Sequence, residues 1–430
     1  MTSAEARAET ERAIQAVWKL ESAKLIASVT RIVRDIGLAE ELAQDALVSA
    51  LAQWPSEGVP RNPAAWLMSA AKNRAVNLLR RDKMLDRKHA ELGHAADAEQ
   101  EDTVAKLEAT LDDELGDDLL RLVFTACHPV LPTEGRIALT LRLLGGLTTE
   151  EIARAFLTSE PTIAQRIVRA KRTLAEAQVP YEVPRGPELA ERLSSVLEVI
   201  YLIFNEGYSA TAGEDLLRPA LCEEALRLGR ILAELASDEA EVHGLVALME
   251  INASRNAART LPSGEPVLLL DQDRARWDQL LIRQGLAALA RAEALGGSPG
   301  PYVLQASITA CHARALTPEA TDFRRIADLY GELAALVRSP VVELNRAVAV
   351  SMADGPAAGL SLIDALSSAP SLQNYHWLPS ARADLLSKLE RFPEAQLEFE
   401  RAAQLTRNVR QRERLLERAA QCAQATAKKS

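Results

Sequence analysis

Residues 148–174 read TTEEIARAFLTSEPTIAQRIVRAKRTL, and the reading of this stretch decides the fold. Thr148 or Thr149 is placed to cap a helix whose first turn holds Glu150 and Glu151, where negative charge suits the helix dipole. That helix is short and ends near Phe156; Leu157, Thr158 and Ser159 make a turn. Pro161 then falls in the first turn of a second helix, where a missing N–H is harmless. In the second helix Ile163, Ile167, Ala170 and Leu174 recur every three or four residues and form one buried stripe. Thr162, Gln165, Arg166, Arg169 and Arg172 point away from it. A short support helix, a tight turn and a second helix with a polar, basic outer face have the layout of a helix-turn-helix. The plainer alternative is any two packed helices; the agreement of cap, turn, stripe and charged face favours the first.

Upstream, residues 66–81 read WLMSAAKNRAVNLLRR. Asn62-Pro63 has the form of a helix start, an Asn cap followed by Pro in the first turn, and the helix is expected to run to about Arg87. Leu67, Ala71, Ala75 and Leu78 form its apolar stripe. Asn73, Asn77, Arg80 and Arg81 share another face, where amides can hold bases and guanidinium groups can neutralise phosphates. An ordinary amphipathic helix with a solvated basic face would show the same spacing. Charge along the chain adds to the case. Residues 61–90 carry eight Lys/Arg against two Asp, residues 91–118 eleven Asp/Glu against one Lys, and residues 153–174 five Lys/Arg against one Glu. Two basic helices with an acidic segment between them is a pattern that a uniformly acidic protein would not need, although the whole chain is −10.

The composition points to an all-α protein. Among the 430 residues Ala, Leu, Arg and Glu dominate, 48% are hydrophobic and 4% aromatic. Such side chains lose little freedom in a helix, and the length suits two to four domains of about 100–200 residues. No apolar run approaches the ~18 residues of a membrane span, and the first residues, MTSAEARAETERA, hold no apolar signal core. A cytoplasmic protein without a membrane role is expected. Cys127, Cys222, Cys311 and Cys422 are far apart in sequence and form no CxxC pair, so neither a disulfide framework nor a metal site is expected, and no cofactor.

Helix is expected over 11–53, broken at Asp35-Ile36-Gly37, with Trp54-Pro55 and Val59-Pro60 in a loop. The expected organisation is a first helical module at 1–90, an acidic linker at 91–118, the helix-turn-helix module at 119–178, a Pro-rich connector at 179–187 and a helical extension at 188–430. Within the extension, NRAVAVSMADGPAAGLSLIDAL (345–366) echoes ARADLLSKLERFPEAQLEFERAA (381–403): small residues, a turn with Pro, then a second helix. The offset, about 36 residues, is near the period of tetratricopeptide-like hairpins.

These two basic helices, in this order and separation, resemble an extracytoplasmic-function sigma factor over about residues 10–178. The resemblance implies a region 2 helical bundle, a region 4 helix-turn-helix domain, and a promoter-recognition subunit that is not an enzyme. It implies binding to core RNA polymerase, to the β′ clamp helices and the β subunit, and to promoter DNA. The segment Ala39–Leu47, AEELAQDAL, is similar to the family's acidic helix that docks on the clamp helices, with Glu41, Gln44 and Asp45 facing the polymerase. Trp66-Leu67 followed by Asn73 is similar to the family's −10 helix, in which an Asn helps to capture a flipped base; Asn77, Arg80 and Arg81 lie beside it. The helix-turn-helix implies reading of the −35 element by Thr162, Gln165, Arg166, Arg169 and Arg172. Family recognition helices often read Gly-Thr-Val-Lys/Arg-Ser-Arg, whereas Pro161–Arg166 reads PTIAQR, so the −35 preference does not carry over. The extension also departs from the plain family, which ends near residue 180. A subgroup carries a tetratricopeptide-like C-terminal domain, and the resemblance implies that the extension regulates in cis or adds contacts to the polymerase or to DNA, in place of a separate anti-sigma partner.

Two stretches of the extension combine charge with aromatics: Tyr201–Tyr208, YLIFNEGY, and Leu268–Asp278, LLLDQDRARWD. They supply no nucleophile with a base partner, no metal-ligand set and no phosphate-binding glycine loop. Caps and inter-helix ion pairs, or a groove for a protein or small ligand, are the readings they allow. A helix-turn-helix regulator with a helical sensor domain and a helical scaffold that binds no DNA remain the alternatives for the chain. The 39–47 and 66–81 helices speak against the first and the two basic helices against the second.

Overall fold

The computed structural model describes residues 3–90, 115–156, 158–208, 218–261, 267–406 and 409–429. The described residues are helices joined by short turns, with no strand among them. They fall into two compact units, 1–202 and 203–430.

The first unit is built around α1 (Ser3–Val33). Between Leu25 and Thr30 this helix is buried on all sides, which a single apolar stripe cannot explain. It is surrounded by α2 (Ile36–Glu57), α3 (Pro63–Ala90), α4 (Leu115–Ala126) and α5 (Thr133–Leu143). The break between α1 and α2 falls as expected: Arg34 has a φ of 58°, and the Asp35 side chain accepts from the Leu38 N–H at 2.8 Å. The expected loop at Trp54-Pro55 is instead helix. α2 runs on to Glu57, with Pro55 inside it, before Gly58 ends it at a φ of 86°. Packing accounts for the continuation. Trp54 is fully buried and stacks edge-on against Trp66 of α3 at 5.4 Å, which holds the last turn against the next helix. Asn62 caps α3, accepting from the Ala65 N–H at 3.1 Å.

The helix-turn-helix is α6 (Thr149–Ala155) and α7 (Glu160–Glu176). Thr148 caps α6 in a reciprocal capping box with Glu151, at 3.1 and 2.7 Å. Ser159 caps α7, and Ile163, Ile167, Ala170 and Leu174 are its buried residues. The acidic linker lies largely outside the described residues, as does Leu157; helix resumes at Leu115, within the segment expected to be linker.

The Pro-rich connector does not separate compact units. Pro184 is buried, and the division falls later, at Leu202, inside α8 (Pro187–Tyr208). The start of α8 is bonded to the helix-turn-helix module: Arg192 donates to the Phe124 carbonyl at 2.9 Å and Ser195 to the Cys127 carbonyl at 2.6 Å.

In the second unit most helices pack on their neighbours in sequence. Its first part holds α9 (Pro219–Leu235), α10 (Ala240–Ala253), α11 (Gln279–Leu295) and α12 (Pro301–Arg314). α10, with the sequence AEVHGLVALMEINA, is apolar nearly all round and is buried between α9, α11 and α12. There follow α13 (Phe323–Leu336), α14 (Pro340–Asp354), α15 (Pro356–Leu366), α16 (Trp377–Lys388), α17 (Phe392–Leu405) and α18 (Val409–Lys429). The two self-similar segments are the hairpins α14–α15 and α16–α17. Leu344, Ile363, Leu386 and Phe399 from these four helices meet in one core that also takes Leu415 and Cys422 of α18.

α10 admits α12 at close range because residue 244 is glycine. A Cβ there would stand 2.7 Å from the Val303 backbone nitrogen. Gly244→Ala gains about 1 kcal/mol of helix propensity but overpacks against backbone, at about 1–3 kcal/mol. The clash should win, and urea unfolding of this variant should show a lower midpoint.

Candidate nucleic-acid interface

Two surfaces of the first unit carry the residues expected to meet nucleic acid. On α3, Leu67, Ala71 and Ala75 are fully buried, and burial also includes Val76; Leu78 is half-buried. Asn73, Asn77, Arg80 and Arg81 are all exposed. Arg74, between them in sequence, points elsewhere: it donates to the Ser49 hydroxyl and thereby binds α3 to α2. The exposed face therefore presents two amides and two guanidinium groups over two turns of helix.

On α7, Gln165, Arg169 and Arg172 are exposed, while Thr162 and Arg166 are half-buried. The Thr162 hydroxyl is hydrogen-bonded to that of Ser159 at 2.7 Å, so it helps to close the turn as well as lying near the outer face. Arg172 forms an exposed ion pair with Glu176 at 3.5 Å, an interaction worth about 0–1 kcal/mol that a phosphate can displace.

On α2, Glu41 and Asp45 are exposed and Gln44 is half-buried, its amide donating to Glu40 at 2.8 Å. The same side of α2 exposes Val48 and Leu51, which the sequence reading did not single out. Two carboxylates beside two bare aliphatic side chains suit a protein partner better than DNA.

The structure also adds a node that sequence reasoning missed. Glu40 lies on the buried stripe of α2, between Ile36 and Ala43, and is only 5% exposed. Its carboxylate accepts from the Arg142 Nε at 2.7 Å and is ion-paired with Lys171. Thus α7 sends Lys171 inward to the first module while Arg169 and Arg172 face out. A second link joins the same modules: Asp118 of α4 pairs with Arg31 of α1 at 3.3 Å and with Arg121 at 2.7 Å. The third link is Tyr181 of the connector, whose hydroxyl lies 2.9 Å from the carbonyls of both Ala27 and Asp118. Burial, and then the Asp118 charge, push the phenol well above its usual range, so it stays a donor shared between the two oxygens. One signal for Glu40 was available: a carboxylate at an apolar-stripe position of an amphipathic helix needs a buried partner.

Among the described residues no cluster of His, Cys, Asp and Glu could hold a metal ion, and no helix is long and apolar enough to cross a membrane. Burial, the largest cause, pushes the Cys127 thiol up to about 11, as expected of an inert buried thiol.

Comparison with known proteins finds sigma-70 region 2 over residues 20–84 and sigma-70 region 4 over residues 121–174. Residues 192–293 match a family of unknown function, DUF6596. The chain is 43% identical over 382 residues to an uncharacterized protein of Rhizobium meliloti (strain 1021), spanning 89% of each chain. Over 150 residues it is 29% identical to the ECF RNA polymerase sigma factor SigK of Mycobacterium tuberculosis (strain H37Rv), covering 34% of this chain and 75% of that one. SigK of Mycobacterium ulcerans gives the same identity and coverage. No solved structure matches the chain.

Glu40→Gln leaves Arg142 and Lys171 facing a neutral amide in a buried site, and breaking a buried pair this way costs about 3–5 kcal/mol; urea unfolding of the first unit should show the loss. Alanine at Gln165, Arg166, Arg169 and Arg172 should weaken binding to duplex DNA. It should also flatten the salt dependence by about one unit for each phosphate that is no longer neutralised. Unchanged binding in filter or anisotropy titrations would remove this face from the interface.

Proposed function

We propose, from the premise that this chain belongs to the extracytoplasmic-function sigma factors of the sigma-70 family, that it directs core RNA polymerase to promoters through α3 and α7, under control of its own C-terminal extension. The observation that carries the DNA-reading assignment is the shared design of these two helices. Each buries one stripe and leaves amides and guanidinium groups in water. On this reading Asn73 receives a base of the −10 element, with Asn77, Arg80 and Arg81 supplying hydrogen bonds and positive charge for the melted strand. Thr162, Gln165, Arg166, Arg169 and Arg172 read or grip the −35 duplex. Glu41, Gln44 and Asp45, with Val48 and Leu51 beside them, dock on the β′ clamp helices, and the chain works in the cytoplasm.

The control in cis rests on distance. Elements about 25 base pairs apart lie on the order of 80 Å apart along a duplex that rises about 3.4 Å per base pair. The Glu40 node holds the two DNA-reading modules in direct contact. Both elements can be engaged at once only after that contact opens. Tyr181 and the start of α8 bind to the closed arrangement through Ala27, Asp118, Phe124 and Cys127. The connector and the first turns of the extension therefore favour the closed form, and core polymerase must compete with them.

Run-off transcription with core polymerase and a candidate promoter tests the function; no promoter-dependent transcript from the full chain would refute it. Asn73→Ala should leave polymerase binding intact and reduce promoter opening, read as lower permanganate reactivity. Tyr181→Phe removes the one donor that joins connector to both modules. It should raise promoter-dependent transcription at limiting polymerase, and unchanged or lower output would argue against restraint by the connector.

A further inference from the structure

The proposed function makes no use of Tyr208 or of the Leu268–Asp278 stretch, yet within the second unit they come together. Tyr208 ends α8, Arg255 and Arg259 follow α10, and Arg274 and Trp277 stand in the loop before α11. The Arg259 guanidinium lies 3.6 Å from the centre of the Tyr208 ring. Arg255 stands 5.9 Å from the centres of both Tyr208 and Trp277, and Arg274 lies 4.9 Å from Trp277. His312 of α12 completes the group. Its imidazole is pushed down to about 4 by burial first, then by Arg255 and Arg274. Three guanidinium groups thus share two aromatic rings.

None of the three has a carboxylate at ion-pair distance among the described residues. Arg255 donates to the Asn252 side-chain oxygen and Arg259 to the Tyr208 carbonyl. Arg274 donates to the carbonyls of His312, at 2.8 Å, and Ala315, and to the Thr321 hydroxyl at 3.1 Å. Every one of these acceptors is neutral. Of the acids nearby, Asp273 accepts from the Ala275 N–H, Asp278 caps α11 and Glu206 pairs with Arg218, while Glu319 acts on Arg274 only from beyond ion-pair distance. The expected caps and inter-helix ion pair in these stretches are thus Asp273, Asp278 and Glu206–Arg218, and none of them reaches the three arginines.

Burial makes the imbalance costly. Arg255 is 7% exposed and Trp277 is 4% exposed. The Nε atoms of Arg255 and Arg274, the Trp277 indole nitrogen and the His312 Nδ1 are buried with no hydrogen-bond partner. A guanidinium group cannot shed its proton to escape, and each buried, uncompensated ion costs several kcal/mol. Arg259 and Arg274 are half-buried, but a counter-charge that reaches Arg255 must be compact, because a nucleic-acid strand or protein surface cannot reach a side chain so far enclosed. Planar guanidinium forks match the paired oxygens of carboxylates and phosphoryl groups.

We propose that Arg255, Arg259 and Arg274 form a binding site in the second unit for a small oxyanion, a metabolite bearing a carboxylate or a phosphoryl group. Binding neutralises the cluster and supplies acceptors to the orphaned N–H groups. The Tyr208 and Trp277 faces keep the cations in place when the site is empty.

The test uses the full chain and thermal unfolding at fixed ionic strength, with sodium chloride exchanged for sodium phosphate in one arm and for sodium citrate in the other. A ligand of the native state at about a hundredfold excess over its Kd should raise the transition of the second unit by about 5–10 °C. The arm that responds identifies the phosphoryl or the carboxylate class. Arg255→Gln and Arg274→Gln should abolish the response, and Arg274→Lys, which keeps the charge and loses the fork, should weaken the anion at least about tenfold. Arg276→Gln, at an exposed neighbouring position, should respond like the parent. Equal midpoints in chloride, phosphate and citrate would overturn the proposal. So would the same shift in Arg274→Gln as in the parent chain, since the anion would then act elsewhere. If one glutamine variant does not fold, the other, compared with Arg276→Gln in the same three salts, still separates a response of this site from the general stabilisation that phosphate and citrate give to folded proteins.

Discussion

The carboxylate of Glu40 holds the two modules of the first unit together. It sits among Ile36, Ala39 and Ala43 on a helix face that is otherwise apolar, where a lone charge could not remain. Its partners, Arg142 and Lys171, belong to the other module, so the first module can bury this face well only while the second is present. The interaction is directional as well as strong. Arg142 sits at the end of α5 and Lys171 on the inner side of α7, and between them they set the orientation of the helix-turn-helix against α2. Asp118 and Tyr181 then repeat the logic at α1, tying a buried acid and a buried phenol to groups from both modules.

The two units treat buried charge in opposite ways. In the first, enclosed ions have opposite partners: Glu40 with two cations, Asp118 with two arginines, Arg136 with Glu198. Apart from Asp118–Arg121, which lies within α4, each of these pairs joins different helices. In the second unit Arg255, Arg259 and Arg274 rest on aromatic faces and carbonyl oxygens. Elsewhere in that unit a half-buried acid is handled conventionally. Glu241 accepts from the N–H groups of Tyr302 and Val303, capping α12 from a neighbouring helix. The arginine cluster is thus a local exception in a unit that otherwise pairs its enclosed charges.

What could be read from the sequence was local. Thr148, Ser159 and Pro161 announced the ends of α6 and α7 because capping and proline placement act over three or four residues. The stripe Ile163, Ile167, Ala170 and Leu174 was visible for the same reason, and so were the two repeated hairpins. The exposed faces at Asn73, Asn77, Arg80 and Arg81 and at Gln165, Arg169 and Arg172 followed from helical spacing. Trp54-Pro55 was misread as a loop, because the packing that extends α2 is with Trp66 on another helix. The pairing of Glu40 with Arg142 crosses 102 positions, and no periodicity connects residues so far apart. The convergence of Tyr208, Arg255, Arg274 and His312 was hidden likewise, since four separate segments contribute to it. That the connector would be part of the first unit was also beyond local reading, because Tyr181 gains its role only from Ala27 and Asp118.

The position of Tyr181 in the chain has a consequence for the order of events during synthesis. Every residue that closes the first unit lies before Leu202. At about 5–20 residues per second, the rest of the chain takes on the order of ten to fifty seconds to add. Through that interval the ribosome carries an N-terminal portion whose two modules can already meet and whose Tyr181 link is already written. The contact between the modules can therefore form on the nascent chain, before the second unit is made.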